Sequence, residues 1–152
     1  MDILIVGGGI GGLTAALALA RDGYQVRVLE KAAQFAELGA GLQLAPNATR
    51  ILSRLGVLDR VLDAGVRPRR LLLRSAVTAD ELTALDLGEP FAARYQAPYV
   101  VMHRSDLLAI LYDACLAAGV GLLASRDVCA VTGDGDSATA ECADGAATRP
   151  RR

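Results

Sequence analysis

The chain is poor in the residues that carry metal and thiol chemistry. It has one histidine, His103, and three scattered cysteines, Cys115, Cys129 and Cys142, among 152 residues. No C-x-x-C pair is present, and a single histidine does not complete a zinc set, so no metal site is expected. An odd, widely spaced cysteine set also speaks against a disulfide framework. It suits core thiols in a reducing compartment. Lys31 is the only lysine, and the remaining positive charge is arginine. With a formal net charge of -1, no basic face for nucleic acid or for an acidic membrane is implied. The apolar N-terminal stretch from Ile3 to Ala20 has no basic segment before it, and five of the six positions from Gly7 to Gly12 are glycine. It reads as strand and helix, not as a signal peptide or a membrane span, and a cytoplasmic location is expected. There is no internal repeat.

What is present is apolar and glycine-rich. Hydrophobic residues make up 53% and charged residues 22%, a globular composition for a chain long enough to bury a core. The organising stretch is DILIVGGGIGGLTAALALARDGYQVRVLE, from Asp2 to Glu30. An apolar strand runs into the glycines. A small-residue helix follows from about Gly11 to Arg21, then a second strand from Gln25 to Leu29 that ends at Glu30. This is G-x-G-x-x-G in its strand–turn–helix–strand–acid setting, a dinucleotide fingerprint. Gly7 allows the sharp turn, Gly9 lets a pyrophosphate approach the backbone, and Gly12 lets the helix pack closely. The N–H groups of Ile10, Gly11 and Gly12, at the helix start, have no intrahelical partner and suit phosphate. Gly8 and Gly11 read as added flexibility. Glu30 stands 18 residues after Gly12. A carboxylate there accepts ribose hydroxyls and disfavours a 2′-phosphate, so FAD or NAD fits better than NADP.

The expected course beyond Glu30 departs from compact βαβ repeats. An extended segment leads through Gly39–Leu44 to Pro46. Helices are expected from Asn47 to Leu55, with Ile51, Leu52 and Leu55 on the apolar side, and from Leu58 to Ala64. Arg69 to Arg74, Glu81 to Leu87 and Tyr99 to Met102 read as one small antiparallel sheet, punctuated by Pro68, Pro90 and Pro98. His103-Arg104-Ser105-Asp106 opens a helix whose apolar side is Leu107, Leu108, Leu111 and Leu116. Val120 to Ala124 is the next parallel strand. Asp127 to Thr132 and Ser137 to Cys142 form a hairpin around Gly133–Asp136, and a third meander strand begins after Gly145. Arg104 offers a guanidinium for a phosphate or for the flavin side of a dinucleotide. His103 has no acidic partner at fixed spacing and reads as a packed or half-exposed histidine.

Three segments together resemble the N-terminal part of the class A FAD-dependent aromatic hydroxylases, nearest the salicylate hydroxylase and 3-hydroxybenzoate 6-hydroxylase group. They are Gly7 to Gly12 with Glu30, the run GAGLQLAPNATR from Gly39 to Arg50, and HRSDL from His103 to Leu107. The first is shared by many flavoproteins, and the other two are more specific. The resemblance implies an α/β, Rossmann-like FAD-binding domain of the glutathione-reductase type, with parallel sheet, helices and β-meander. It implies FAD as cofactor, NADH or NADPH as transient reductant, and a small aromatic substrate hydroxylated through a flavin hydroperoxide. By residue, Gly7, Gly9, Ile10, Gly11 and Gly12 would shape the pyrophosphate site. Glu30 would hold the ribose with Lys31 near the adenine. Gln43 would pass near the ribityl chain and flavin, and Arg104 would contact FAD. Arg50 has no certain role.

Relatives of this kind carry a returning strand, a later G-D-x-x-H-like segment and a substrate-binding sheet, and none of these is in the sequence. The expectation is therefore a partial FAD-binding domain over residues 1–148 with an antiparallel insertion near 69–102. Residues 149–152 form an irregular basic tail, and the substrate domain is absent. The isolated chain is expected to lack hydroxylase activity, with no catalytic residue assigned, unless a complementing chain completes it. Two alternatives stay open: a stand-alone or split-enzyme FAD/NAD-binding module, and another FAD monooxygenase of the superfamily.

Overall fold

The computed structural model describes residues 2–36, 39–133 and 137–148. Most of the hairpin turn expected at 133–136 and the basic tail expected at 149–152 lie outside the described residues. In chain order the elements begin with β1 (Asp2–Val6), α1 (Ile10–Arg21), β2 (Gln25–Leu29), β3 (Gly41–Leu44), α2 (Pro46–Arg54) and α3 (Leu58–Ala64). They continue with β4 (Arg70–Arg74), β5 (Glu81–Asp86), α4 (Glu89–Tyr95), β6 (Val100–His103) and α5 (Arg104–Ala117). Last come β7 (Gly121–Leu123), β8 (Val128–Gly133), β9 (Ala138–Cys142) and β10 (Ala147–Thr148). Two compact units form, Met1–Leu38 with Leu107–Arg152, and Gly39–Asp106.

The first unit is built on a parallel sheet of order β1-β2-β7. Val26, Val28 and Leu29 of β2 are buried, as a central parallel strand requires. On α1, Leu13, Ala16 and Leu17 are buried, and the alanines keep the helix narrow. On α5 the buried residues are Leu107, Leu108, Ile110, Leu111 and Cys115. Leu116, expected on this side, is 51% exposed. It falls nine residues after Leu107, half a turn away at ~100° per residue, so Ile110 and Cys115 complete the stripe instead. Cys115 Sγ donates to the Leu13 carbonyl at 3.3 Å. Burial pushes this thiol up to about 11, against a smaller lowering by a backbone hydrogen bond at Leu17. Strands β8, β9 and β10 form an antiparallel meander, with Ala140 and Cys142 buried.

The second unit holds two separate strand pairs, β3 with β6 and β4 with β5, both antiparallel. The single three-stranded sheet expected from the sequence is therefore not formed. The strand ending at His103 pairs with β3, and the β4–β5 hairpin pairs only within itself among the described residues. An apolar run identifies a strand but not its partner, and here only the β3–β6 pair buries residues, while β4 and β5 are exposed along their length. On α2, Thr49 and Leu52 are buried, and Thr49 Oγ1 donates to the Pro98 carbonyl at 2.8 Å. Ile51 is 49% exposed. It points away from the Thr49–Leu52–Leu55 stripe, so it is not the core residue expected. Helix α4 is not expected from the sequence pattern. Its Pro90 sits in the first turn, where a missing N–H costs nothing, so this proline starts a helix and does not punctuate a loop.

Three helices end with the same glycine device. Gly23, Gly56 and Gly119 have φ of 88°, 65° and 77°. Each donates to a carbonyl three residues back, while the next residue donates five back: Tyr24 to Leu19, Val57 to Leu52 and Val120 to Cys115.

Candidate functional site

In the first unit the glycine turn is fastened at both ends. Gly7 has φ 102°, a conformation that disfavours any side chain, and its N–H donates to the Leu29 carbonyl at 2.8 Å. Gly12 lies so close to that turn that an added Cβ would stand 1.9 Å from the Gly7 carbonyl oxygen. Gly9 is the N-cap of α1. No side chain caps the helix, and its first turn holds no acid. The N–H groups of that turn and the positive end of the helix dipole are therefore not neutralised by an N-cap side chain or a first-turn carboxylate. A Cβ on Gly7 or Gly11 would meet nothing within 4 Å. Open space, unneutralised donors and a positive dipole end make a cradle for a phosphate.

Glu30 does more here than its position at a strand end announces. Its Oε2 accepts the Gly8 N–H at 2.6 Å and its Oε1 accepts the Ala32 N–H at 2.8 Å. The carboxylate therefore ties the glycine turn to the residues after β2, with lone pairs still left on both oxygens. Gly8 is buried, and an added Cβ would stand 2.3 Å from the Phe35 ring. Its missing side chain serves packing against Phe35, not the flexibility expected from sequence. Phe35 in turn packs on Tyr112, ring centroids 5.3 Å apart. No sequence signal singles out Phe35, because its contact with Gly8 depends on how the segment after Glu30 folds back. Lys31 is exposed beside Glu30.

In the second unit, Gln43 and Arg104 sit on neighbouring elements. Gly41 is opposite His103 and Gln43 opposite Val101 across the β3–β6 pair. Leu44, Val100 and Met102 are buried on one face. Gln43 and His103 are exposed on the other, so His103 is more open than expected. The Tyr99 hydroxyl donates to Gln43 Oε1. Arg104 is exposed at the first position of α5, and its backbone N–H donates to the Ala40 carbonyl at 3.1 Å. Arg50 Nη1 donates to the Tyr95 carbonyl at 3.4 Å. Sequence reasoning does not single out Tyr99, since only strand register brings it to Gln43.

Other candidate chemistry is sparse. A cavity of about 610 Å³ lined by Arg67, Arg69, Asp86 and Glu89, among others, includes none of the expected site residues. Among the described residues no group of three or more His, Cys, Asp or Glu is placed to hold a metal. No described helix is long and apolar enough to cross a membrane. All three cysteines are free thiols, and only Cys129 is exposed.

A model of the FAD binding domain family matches residues 1–151. The chain belongs to that family. It is related to the aromatic-hydroxylase group of flavoprotein monooxygenases, whose cofactor is FAD and whose typical reductant is NAD(P)H. It is 44% identical over 119 residues to 3-hydroxybenzoate 6-hydroxylase 1 of Aquipseudomonas alcaligenes, covering 78% of this chain and 30% of that protein. It is 39% identical over 112 residues to 6-hydroxynicotinate 3-monooxygenase of Pseudomonas fluorescens, covering 74% of this chain and 29% of that one. Among solved structures, a variant of Klebsiella pneumoniae HpxO complexed with FAD superposes with a TM-score of 0.86 at 26% identity, over 99% of this chain and 38% of that one. A tetrameric form of 2-methyl-3-hydroxypyridine-5-carboxylic acid oxygenase does so with a TM-score of 0.84 at 28% identity, over 98% and 37%. The chain thus spans about a third of the length of the proteins it resembles. Within that third, the parallel sheet, helices and meander are the Rossmann-like FAD-binding fold expected from the sequence.

Proposed function

We propose that this chain is the FAD-binding portion of an NAD(P)H-dependent monooxygenase acting on a small aromatic or heteroaromatic ring. The observation that carries the reading is the uncapped start of α1, without a first-turn acid, beside open space at Gly7 and Gly11. Those features fit a pyrophosphate. In this reading Gly9, Ile10, Gly11 and Gly12 hold the pyrophosphate through backbone N–H groups, and Gly7, whose own N–H is bound to Leu29, shapes the turn that presents them. Glu30 accepts ribose hydroxyls with the lone pairs its backbone bonds leave over, and Lys31 lies toward the adenine. Gln43 and Arg104 serve the flavin half. When bound, FAD supplies the redox chemistry of oxygen and the reductant. The chain's own residues bind it, orient it and shield part of it from water.

Residues 1–148 are read as part of one FAD-binding domain with residues 69–102 as its insertion, in a cytoplasmic protein that binds no nucleic acid. Among the described residues β1 pairs on one side only, with β2. Val6 is 54% exposed. A complementing strand, in the same or a second polypeptide, belongs to this proposal. The isolated 152-residue chain is expected to bind FAD without coupled ring hydroxylation. Titration with FAD followed by flavin fluorescence, then NADH oxidation with salicylate and product analysis, tests both parts. Absence of FAD binding refutes the cofactor assignment, and stoichiometric hydroxylated product refutes the inactivity.

A further inference from the structure

We infer that Tyr99 is a positioning residue that fixes which end of the Gln43 carboxamide is offered to the cofactor. The inference rests on the reading of Gln43 as a flavin-side contact and goes beyond it by assigning direction. The Tyr99 hydroxyl donates to Gln43 Oε1. A primary amide has one acceptor oxygen and one NH₂ group with two donors. Tyr99 takes one of the oxygen's two lone pairs and so sets the orientation of the amide, which turns the NH₂ group away from Tyr99 as the end offered to a ligand. Gln43 therefore acts as a donor and recognises an acceptor, such as a ribityl oxygen or a ring carbonyl or imine nitrogen of the flavin.

The geometry around the pair supports a fixed orientation. Gln43 is exposed on β3, opposite Val101 of β6. Residues 101 and 103 of β6 share one face, and Tyr99 immediately precedes that strand. Gly41, opposite His103, leaves that face uncrowded, since a Cβ there would meet nothing within 4 Å. Tyr99 is itself held. Its ring is half-buried and meets Phe91 of α4 edge-on, with centroids 6.5 Å apart, and Phe91 packs on Tyr95 at 4.6 Å. An exposed glutamine normally samples several rotamers, and fixing one before binding removes an entropic cost from the bound state.

The test compares Tyr99→Phe, which keeps the ring and loses the hydroxyl, with Gln43→Ala, Gln43→Glu and the double variant Tyr99→Phe/Gln43→Ala. Each is titrated with FAD and with ADP, which lacks the flavin half. Side-chain amide ¹⁵N relaxation of Gln43 is measured in the ligand-free wild type and in Tyr99→Phe. Gln43→Ala is expected to weaken FAD about tenfold and Tyr99→Phe about threefold, as for one neutral hydrogen bond and part of one. ADP affinity stays unchanged in both. The double variant is expected to match Gln43→Ala, since Tyr99 acts through Gln43. Gln43→Glu keeps the acceptor for Tyr99 but has no NH₂ donor, so it is expected to bind FAD no better than Gln43→Ala. The Gln43 amide is expected to become more mobile in Tyr99→Phe.

FAD binding by Gln43→Glu at wild-type strength overturns the donor assignment. Equal amide mobility with and without the hydroxyl overturns the positioning role, as does full additivity of the two single changes. Unchanged FAD affinity in Gln43→Ala overturns the inference while leaving FAD binding by the glycine turn intact. No FAD binding by the wild type refutes the proposed function and the cofactor half of the inference with it. The relaxation data still decide whether Tyr99 holds the amide.

Discussion

The two units hold different materials. In the first, the proposed phosphate site is made of backbone: glycines, helix N–H groups and one carboxylate that itself binds backbone at Gly8 and Ala32. In the second, the proposed site is made of side chains, with Gln43 hydrogen-bonded to Tyr99 and Arg104 at a helix start. A backbone site leaves a mark in sequence, because close approach and positive φ select glycine at fixed spacing. A side-chain site depends on strand register, which no local pattern writes down. The contrast predicts that the first site fails through geometry, as a whole, and the second through single contacts, by degrees.

The sharpest break is Gly12→Ala. Its methyl would stand 1.9 Å from the Gly7 carbonyl oxygen, and that obstacle is backbone, not a side chain able to yield. A loss of more than about 3 kcal/mol in urea unfolding is expected, with FAD and ADP binding lost together. Gly11→Ala is the control, since a methyl there enters open space. It is expected to hold or raise stability by about 0.5 kcal/mol while weakening FAD. Equal damage by both would show that the turn is not tight.

In the second unit, Leu52→Ala is expected to cost about 2–5 kcal/mol and Ile51→Ala within about 0.5 kcal/mol. Leu52 is 5% exposed against 49% for Ile51. The same urea titration separates them, and equally large losses would restore the sequence-based helix face. The first unit's core has a pH signature. Cys115 is raised from 9.0 to about 11 by burial, so the folded state keeps the neutral thiol where the unfolded chain ionises. That advantage is whole below about pH 9 and is lost as pH rises through about 11. Stability measured across that window is expected to fall on the order of 2–3 kcal/mol, and Cys115→Ala to flatten the fall. A smaller loss is expected from Glu30→Gln. It sets an NH₂ against one of two backbone donors that the carboxylate accepts. A loss of roughly 1–2 kcal/mol is expected, with weaker FAD binding. Unchanged stability would mean that Glu30 does not fasten the turn.

Legibility in sequence follows the same division. The first strand, helix and second strand are readable because apolar runs, small helical residues and glycines each have one sensible role. Leu58–Ala64 is legible in full from its flanking Gly56 and Gly65. The misreadings have physical causes. Leu116 and Ile51 are apolar but lie off the buried stripe, about half a turn from Leu107 and about 100° from Leu52, and apolar character alone does not resolve that angle. Residues 89–95 form a helix with no buried residue, so no periodicity announces it. The pairing of β6 with β3 spans some sixty residues of chain, and Tyr99 reaches Gln43 only through it. Gly8 is visible as glycine, but its reason, the Phe35 ring, is not.

The central claim is that the glycine turn grips the diphosphate of FAD. Competition between ADP and FAD tests it most directly, with flavin fluorescence as the readout on the wild-type chain and on Gly11→Ala. ADP is expected to displace FAD completely, with both ligands weakened by Gly11→Ala. FAD that stays bound under saturating ADP, or that binds Gly11→Ala at wild-type strength, would contradict the account.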